Sequence, residues 1–186
     1  MAYFRIMVKR RHLRRTTIAI LIGTALAFMI IAQHPLKSEA VEDACESNGK
    51  VADLNFTVKD INGKDVTLSA FQGNVIVLDF WATWCPPCKK EIPGFVRLYN
   101  TYKSRGFIVL GVSVDDSTSD VKKFIKQFKM NYPVLIGHDR EDLQEAFAPM
   151  PGFPTTFVIA RDGRICYQHT GFTPLELFEQ KIKALL

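Results

Sequence analysis

Cys85 and Cys88, three positions apart, are the residues of this chain best suited to chemistry. They lie in Phe-Trp-Ala-Thr-Trp-Cys-Pro-Pro-Cys, residues 80–88, where an apolar, β-branched strand pattern over 75–81 gives way to a helical one. A helix that begins here places the Cys85 sulfur at the N-cap, where it can accept the Cys88 N–H and where the helix dipole favours a thiolate. Because thiolates attack disulfides and thiols hardly do, we predict Cys85 as the nucleophile and Cys88 as the resolving thiol.

Two acidic residues flank these cysteines. Asp79 lies within the strand pattern, six residues before Cys85 and between apolar neighbours. Burial there would raise the pKa of its carboxyl, which makes Asp79 a candidate acid or base near neutral pH. The alternative, a solvated carboxylate at a sheet edge, fits the apolar neighbours poorly. Glu91, in the first turn of the predicted helix, is expected only to complement the helix dipole.

The cysteine pair could also be half of a zinc site. Such a site needs two more ligands, and the other cysteines and histidines of the chain form no second paired motif. We therefore expect no metal at Cys85 and Cys88.

The formal net charge of +5 comes from the N-terminus. Six of the 24 Lys and Arg residues precede residue 16, and no acidic residue precedes Glu39. The rest of the chain carries 18 basic and 19 acidic side chains, so no basic domain face is available for a nucleic acid.

An uncharged run follows the basic arm 1–15. It covers residues 16–36, and these 21 residues are enough to cross a bilayer core of ~30 Å. The positive flank predicts a cytoplasmic N-terminus, hence a single-pass signal-anchor in the inner membrane with a periplasmic or otherwise extracytoplasmic domain. The alternative is a signal peptide that is cleaved at the small-x-small site 38–40.

After a polar tether over 37–50, the patterns predict one α/β domain over 51–186. Asn62-Gly63 predicts a β-hairpin. The strand pattern of 75–81 is followed by alternating elements, with strands at 107–114, 133–136, 156–160 and 164–168 and helices at 85–103, 121–128, 141–147 and 174–186. This alternation, which ends in a hairpin, indicates a mixed sheet covered by helices on both faces.

Two motifs carry a resemblance to a known family. Asp-Phe-Trp-Ala-Thr-Trp-Cys-Pro-Pro-Cys-Lys, residues 79–89, resembles the active-site segment of the thioredoxin superfamily, and together with Lys-Glu-Ile-Pro it is most similar to membrane-anchored TlpA/ResA-like thiol–disulfide oxidoreductases. Gly-Phe-Pro-Thr-Thr-Phe, residues 152–157, resembles the cis-proline loop that faces the cysteines in that family. The resemblance implies a thioredoxin-like fold with an N-terminal β-hairpin and a central strand–helix insertion.

The resemblance also assigns site residues. It implies that Pro154 follows a cis bond and leaves a backbone edge free to pair with an extended client, with Phe153 and Thr155 beside it. Trp84, next to the nucleophile, is expected to belong to the same substrate-binding surface. It further implies that Asp79 accepts the proton of the resolving cysteine, as in thioredoxin, although many TlpA/ResA-like proteins carry a neutral residue there.

TlpA/ResA-like relatives reduce client proteins in cytochrome c maturation or in copper-site assembly of cytochrome oxidase, and a membrane electron donor recharges them. The resemblance therefore implies a protein-disulfide reductant whose only redox group is the Cys85–Cys88 pair, with no cofactor. One alternative is a Cu(I)-binding assembly chaperone. Another is a thiol peroxidase, which the position of Thr83 disfavours because it precedes Cys85 by two residues and not by three.

Two cysteines remain. The predicted compartment permits disulfides, so Cys45 and Cys166 could form a structural disulfide that attaches the tether to the C-terminal hairpin. The alternatives are a free thiol at Cys45 and a small buried apolar residue at Cys166.

Cell fractionation tests the predicted anchor. We expect the full-length chain in the inner-membrane fraction, with its domain open to protease only from outside, because residues 16–36 are retained. A soluble, shortened form that begins near Val41 would show that the segment is a cleaved signal peptide.

Overall fold

Strands and helices alternate as the sequence predicts in the computed structural model, which describes Cys45 and residues 49–114 and 117–186. The described strands are β1 (Thr57–Lys59), β2 (Asp65–Thr67), β3 (Val75–Trp81), β4 (Phe107–Ser113), β5 (Val134–Ile136), β6 (Thr155–Ile159) and β7 (Ile165–Thr170). The described α-helices are α1 (Pro86–Tyr102), α2 (Thr118–Phe128), α3 (Glu141–Ala146) and α4 (Leu175–Leu185), with 3-10 turns at Leu68–Phe71 and Lys103–Arg105.

The main sheet is mixed, as predicted. Its strands lie in the order β5-β4-β3-β6-β7, with β3, β4 and β5 parallel and with β6 and β7 added in antiparallel pairings. β1 and β2 form a separate two-stranded hairpin around Asn62-Gly63. The segment between α2 and β6 contains β5 and α3, which correspond to the expected strand–helix insertion.

β3 is the centre of the sheet, and all seven of its residues are buried. Side chains alternate between the two faces of a strand, so the apolar residues of β3 divide between two cores. Val75, Val77 and Trp81 belong to the core that also contains α1 residues, and Ile76, Leu78 and Phe80 belong to the core on the opposite face. By the same alternation, Asp79 lies on the face that is covered by α1.

α1 covers this face with a row of apolar side chains that includes Ile92, Phe95 and Leu98. The helix begins with two prolines, which lose nothing there because first-turn amides have no intrahelical partner. Gly94 allows a close approach to α4, since a Cβ at this position would lie 2.8 Å from Leu175 Cδ1. The loop before α4 therefore lies directly against the first turns of α1.

Several element boundaries differ from the predicted pattern, and α2 begins at Thr118, three residues before the predicted start. β7 continues to Thr170 because its last residues pair with Thr155 and Thr156 of β6, a contact that no local pattern encodes. A second cis peptide bond, Ala148–Pro149, was not predicted from the sequence.

The predicted basic arm 1–15, the span 16–36 and most of the tether 37–50 lie outside the described residues. Within the described part of the chain, no helix combines the length and apolar character needed to cross a membrane.

A disulfide joins Cys45 to Cys166 across 121 positions of sequence. Cys166 lies in β7 and is 1% exposed, and Cys45 packs against the core on the α1 face. The disulfide therefore attaches the segment before the domain to an edge strand of the main sheet.

Removing this crosslink should lower stability. Because the cysteines close a long loop, we expect Cys45→Ser to reduce the free energy of unfolding by about 2–4 kcal/mol under oxidising conditions. Denaturant unfolding of both proteins measures the difference, and complete reduction should abolish it. Equal unfolding free energies under oxidising conditions would contradict a stabilising role.

Candidate active site

Cys85 and Cys88 form a disulfide at the first turn of α1, with their Cα atoms 5.3 Å apart. Cys85 is the N-cap residue in extended conformation, and its sulfur accepts the Cys88 N–H at 3.2 Å. Both cysteines are nearly buried, at 2% and 1% exposure. The hydrogen bond and the helix N-terminus both favour negative charge on the Cys85 sulfur once the disulfide is reduced.

The pairing of β3 with β6 brings a second segment to this point. Phe80 pairs with Thr155 in antiparallel register, so the residues that follow β3 and those that precede β6 lie at the same end of the sheet. The Phe153–Pro154 bond is cis, as the resemblance implies. The Phe153 ring packs edge-on against Trp84, with centroids 6.2 Å apart, so this loop contacts the residue next to Cys85.

The predicted substrate-binding residues differ in exposure. Trp84 is 65% exposed and Phe153 is half-buried, so these two rings offer apolar surface beside the disulfide. Pro154 and Thr155 are buried, and the Thr155 hydroxyl donates to the Gly152 carbonyl at 2.6 Å. The side chain of Thr155 therefore holds the loop and offers no surface to a client.

Asp79 lies in the middle of the sheet, beneath α1, and is 1% exposed, which excludes the solvated alternative. Its neighbours in the adjacent strands are Gly111 of β4 and Thr156 of β6. The Thr156 hydroxyl lies 3.1 Å from Asp79 Oδ1 and can donate to it. Burial raises the pKa of Asp79 to about 7, and the hydrogen bond from Thr156 only partly opposes this rise.

Glu91 is a second buried carboxyl, and the expectation that it only complements the helix dipole is wrong. It is 5% exposed, and its Oε1 accepts the Thr173 N–H at 3.0 Å. Its Oε2 lies 3.4 Å from the same Thr156 hydroxyl that contacts Asp79. Burial and then the charge of Asp79 raise the pKa of Glu91 to about 8, against the opposing hydrogen bonds from Thr173 and Thr156.

A sequence signal for Glu91 was present. Cys88, Glu91, Ile92 and Phe95 occupy positions i, i+3, i+4 and i+7 of α1, which share one face of a helix. The other three residues are buried, so the periodicity places Glu91 on the covered face, whatever its charge.

Further polar groups surround the carboxyls without hydrogen-bond partners among the described residues. The buried atoms of this kind are Asp79 Oδ2, Trp81 Nε1, Tyr132 Oη and Thr173 Oγ1. Burial and the charges of Asp79 and Glu91 raise the pKa of Tyr132, so its phenol stays protonated. Unpaired buried polar groups cost free energy, so a group of them around two buried carboxyls is typical of a functional site.

Among the residues that the structure describes, no group of three or more His, Cys, Asp or Glu side chains could hold a metal ion. The arrangement can perform two kinds of chemistry, which are electron transfer through the cysteine pair and proton transfer through the carboxyls.

Three features define the thioredoxin-like class. A disulfide lies at the start of the helix that follows the central strand, a cis-proline loop lies at the same end of the sheet, and the sheet is mixed and five-stranded.

Comparison with known proteins agrees. Residues 49–168 match the AhpC/TSA family. The chain is 34% identical to the thiol-disulfide oxidoreductase ResA of Bacillus cereus, over 96% of this chain and 99% of the relative. Identity to ResA of Bacillus subtilis is 35%, over 88% and 87% of the two chains.

Solved structures give the same result. A protein from Chlorobium tepidum, provisionally named thiol:disulfide interchange protein DsbE, superimposes with a TM-score of 0.68 at 35% identity, over 75% of this chain and 99% of its own. A thiol:disulfide interchange protein from a Bacteroides species gives a TM-score of 0.64 at 29% identity, over 75% and 92%. The chain belongs to the AhpC/TSA family and is a thioredoxin-like thiol-disulfide oxidoreductase of the ResA and DsbE type.

Asp79→Asn should change the pH dependence of stability. The folded-state pKa is about 7 and the ordinary value is 3.8, so between these pH values the folded protein holds the extra proton and stability falls as pH rises. Asparagine does not ionise, so the variant lacks this fall in stability with rising pH. We therefore expect its free energy of unfolding above neutral pH to exceed that of the parent by roughly 2–4 kcal/mol.

Denaturant unfolding at pH 5 and at pH 8 measures the effect. Asp65→Asn on β2 is a matched control because it removes an exposed carboxylate that is paired with Lys59, outside the main sheet. The control should keep the parent's pH dependence. An unchanged pH dependence in Asp79→Asn would contradict burial as the cause of the raised pKa.

Proposed function

We propose that this protein is a membrane-anchored, extracytoplasmic reductant of protein disulfides. The observation that carries the proposal is the Cys85–Cys88 disulfide at the N-terminus of α1, with the Cys88 N–H bonded to the Cys85 sulfur. This geometry stabilises a thiolate at Cys85 more than at Cys88, since only the N-cap sulfur receives the amide hydrogen bond.

In the proposed reaction, the Cys85 thiolate attacks one sulfur of a client disulfide and displaces the other as a thiolate. Cys88 then loses its proton, attacks the Cys85 sulfur and releases the second client thiolate. Two electrons pass from the dithiol to the client, and the Cys85–Cys88 disulfide forms. The order of attack follows thiolate stability and position, because the Cys85 sulfur is the N-cap acceptor and Cys85 lies next to the exposed Trp84.

The second step needs a base for the Cys88 thiol. Asp79 and Glu91 fit this role, since Asp79 lies on the sheet face that α1 covers and Glu91 lies on the covered face of α1 itself. Burial raises the pKa of Asp79 to about 7 and that of Glu91 to about 8. A base whose pKa is near the working pH combines a useful deprotonated fraction with a useful proton affinity.

Client binding is proposed at Trp84 and Phe153, whose rings form the apolar surface beside Cys85. The backbone next to Pro154, at the start of β6, would pair with an extended client segment. This mode of recognition suits unfolded chains, because main-chain hydrogen bonds do not depend on client sequence.

The cellular setting rests on the sequence and on the relatives. The basic arm and the uncharged run 16–36 support an inner-membrane anchor with the domain outside. Relatives named thiol-disulfide oxidoreductase ResA support thiol–disulfide exchange as the activity. The resemblance to TlpA/ResA-like proteins supports clients in cytochrome c maturation, or in copper-site assembly of cytochrome oxidase, and recharging by a membrane thiol donor. In this proposal the cysteine pair is the only redox group, and no other cofactor takes part.

Cys88→Ala should trap clients. Without the resolving thiol, Cys85 can attack a client disulfide but no thiol of this site then displaces the client sulfur, so clients accumulate as mixed disulfides with the anchored protein. Non-reducing electrophoresis followed by mass spectrometry identifies the clients and the cysteine that holds them.

Cys85→Ala should show neither activity nor trapping. A double variant, Cys45→Ala with Cys166→Ala, is the matched control because it removes two cysteines outside the site, and it should turn over clients without trapping them. Trapping through Cys88 in the Cys85→Ala variant would reverse the assignment of the nucleophile.

A further inference from the structure

Glu91 borders a surface cleft, whereas Asp79 does not. The cleft has a volume of about 240 Å³ and lies between α1 and the loop that precedes α4. Glu91, Phe172 and Thr173 are among its lining residues. Because Thr173 N–H binds Glu91 Oε1, the carboxyl is held at the boundary between the cleft and the interior.

A single hydroxyl joins the two carboxyls. Thr156 Oγ1 lies 3.1 Å from Asp79 Oδ1 and 3.4 Å from Glu91 Oε2. A hydroxyl has one hydrogen to donate, so both contacts are hydrogen bonds only when one carboxyl is protonated and donates to the threonine oxygen. Both distances exceed the ~2.7–2.8 Å that is common for O–H···O bonds, so the hydroxyl is not held tightly by either carboxyl.

We propose that Asp79, Thr156 and Glu91 form a proton relay that connects the resolving cysteine with the cleft. Thr156 is the positioning residue of this relay, since it touches neither cysteine nor client. The inference rests on the proposed function, because it explains where the proton of Cys88 goes when the mixed disulfide is resolved.

The transfer balances without any further reactant. The Cys88 proton moves to Asp79, the Thr156 oxygen accepts a proton from Asp79 and passes its own to Glu91, and Glu91 releases a proton to water in the cleft. The cysteine sulfur keeps the electron pair of its S–H bond and uses it to form the bond to Cys85. The second client sulfur leaves as a thiolate with the electron pair of the bond that breaks.

Burial explains why a relay is needed. Asp79 is 1% exposed and has one oxygen, Oδ2, with no partner among the described residues, so it can accept a proton but cannot exchange it with solvent directly. Glu91 is also largely buried, but it lines the cleft. Several other described titratable or charged groups lie nearby. Lys90, Arg97 and Glu176 line the same cleft as Glu91. The charges of both carboxyls act on Tyr132, and His169 of β7 pairs with Thr156.

Thr156→Val tests the relay, since valine keeps the branched shape and lacks the hydroxyl. The probe is a soluble peptide with one internal disulfide, mixed with reduced full-length protein and quenched in acid at successive times. Mass spectrometry then separates the mixed disulfide from the products. We expect the resolution rate at pH 7 to fall about 10-fold, which is less than the ~10²–10⁴-fold typical for loss of the acid or base itself, because Asp79 remains to accept the first proton. We also expect the pH profile of the resolution rate to lose one inflection, because a proton can no longer pass from Asp79 to Glu91.

Three further variants make the result specific. Thr156→Ser restores a hydroxyl and should recover most of the rate. Glu91→Gln should reproduce the defect, and its combination with Thr156→Val should be no slower than either alone, because both block one path. Thr67→Val is the matched control, since the Thr67 hydroxyl contacts the Thr57 hydroxyl in the β1–β2 hairpin, outside the five-stranded sheet.

Resolution by Thr156→Val at the parental rate with the parental pH profile would overturn the relay, and so would a Thr156→Ser variant as slow as the valine. Failure of the proposed function looks different. If Cys88→Ala does not trap the same peptide, then the two-cysteine mechanism is wrong, whatever Thr156 does.

Discussion

The antiparallel register between β3 and β6 is the constraint on which the site depends. It places Phe80 opposite Thr155, which brings the loop before β6 to the cysteines, and it places Asp79 opposite Thr156. A slip of one residue would turn Thr156 to the other face of the sheet and would remove the hydroxyl from both carboxyls. The same β3–β6 backbone hydrogen bonds therefore fix both the position of the loop beside the Cys85–Cys88 disulfide and the contact of Thr156 with the two buried carboxyls.

The arrangement is held in place at a cost in stability. Two carboxyls and several unpaired polar atoms are buried in a core that otherwise consists of aromatic and aliphatic side chains. Burial disfavours their charged forms, and the surrounding packing of α1 on the sheet offsets this penalty. Gly111 contributes space here, since a Cβ at this position would lie 3.0 Å from Trp81 Nε1 and 3.3 Å from the Tyr132 ring. Local sequence choices that weaken a fold in this way are expected where function requires them.

Much of the architecture could be predicted from local patterns. The apolar run of β3, the capped start of α1 and the Asn62-Gly63 hairpin each have a short-range cause, and the structure reproduces all three. The partnership of Asp79 with Glu91 could not be predicted in the same way. It depends on Thr156, which is 65 positions from Glu91 in sequence and meets it only after the sheet has formed. The charge of Glu91 suggests an exposed residue, although its helical periodicity indicates burial.

The crosslink between Cys45 and Cys166 means that this protein must form two correct disulfides from four cysteines as it folds. Four cysteines can pair in three ways, and the structure contains only one of them. Cys85 and Cys88 are near neighbours in the chain and meet readily, whereas Cys45 and Cys166 meet only when β7 has joined the sheet. Oxidoreductase turnover requires the Cys85–Cys88 pair to alternate between disulfide and dithiol, whereas the Cys45–Cys166 disulfide is a structural crosslink. Burial alone does not distinguish the two pairs, since Cys85, Cys88 and Cys166 are all 1–2% exposed. Position distinguishes them, because the Cys85–Cys88 disulfide lies at a helix N-terminus next to the exposed ring of Trp84, whereas Cys166 lies within an edge strand of the sheet.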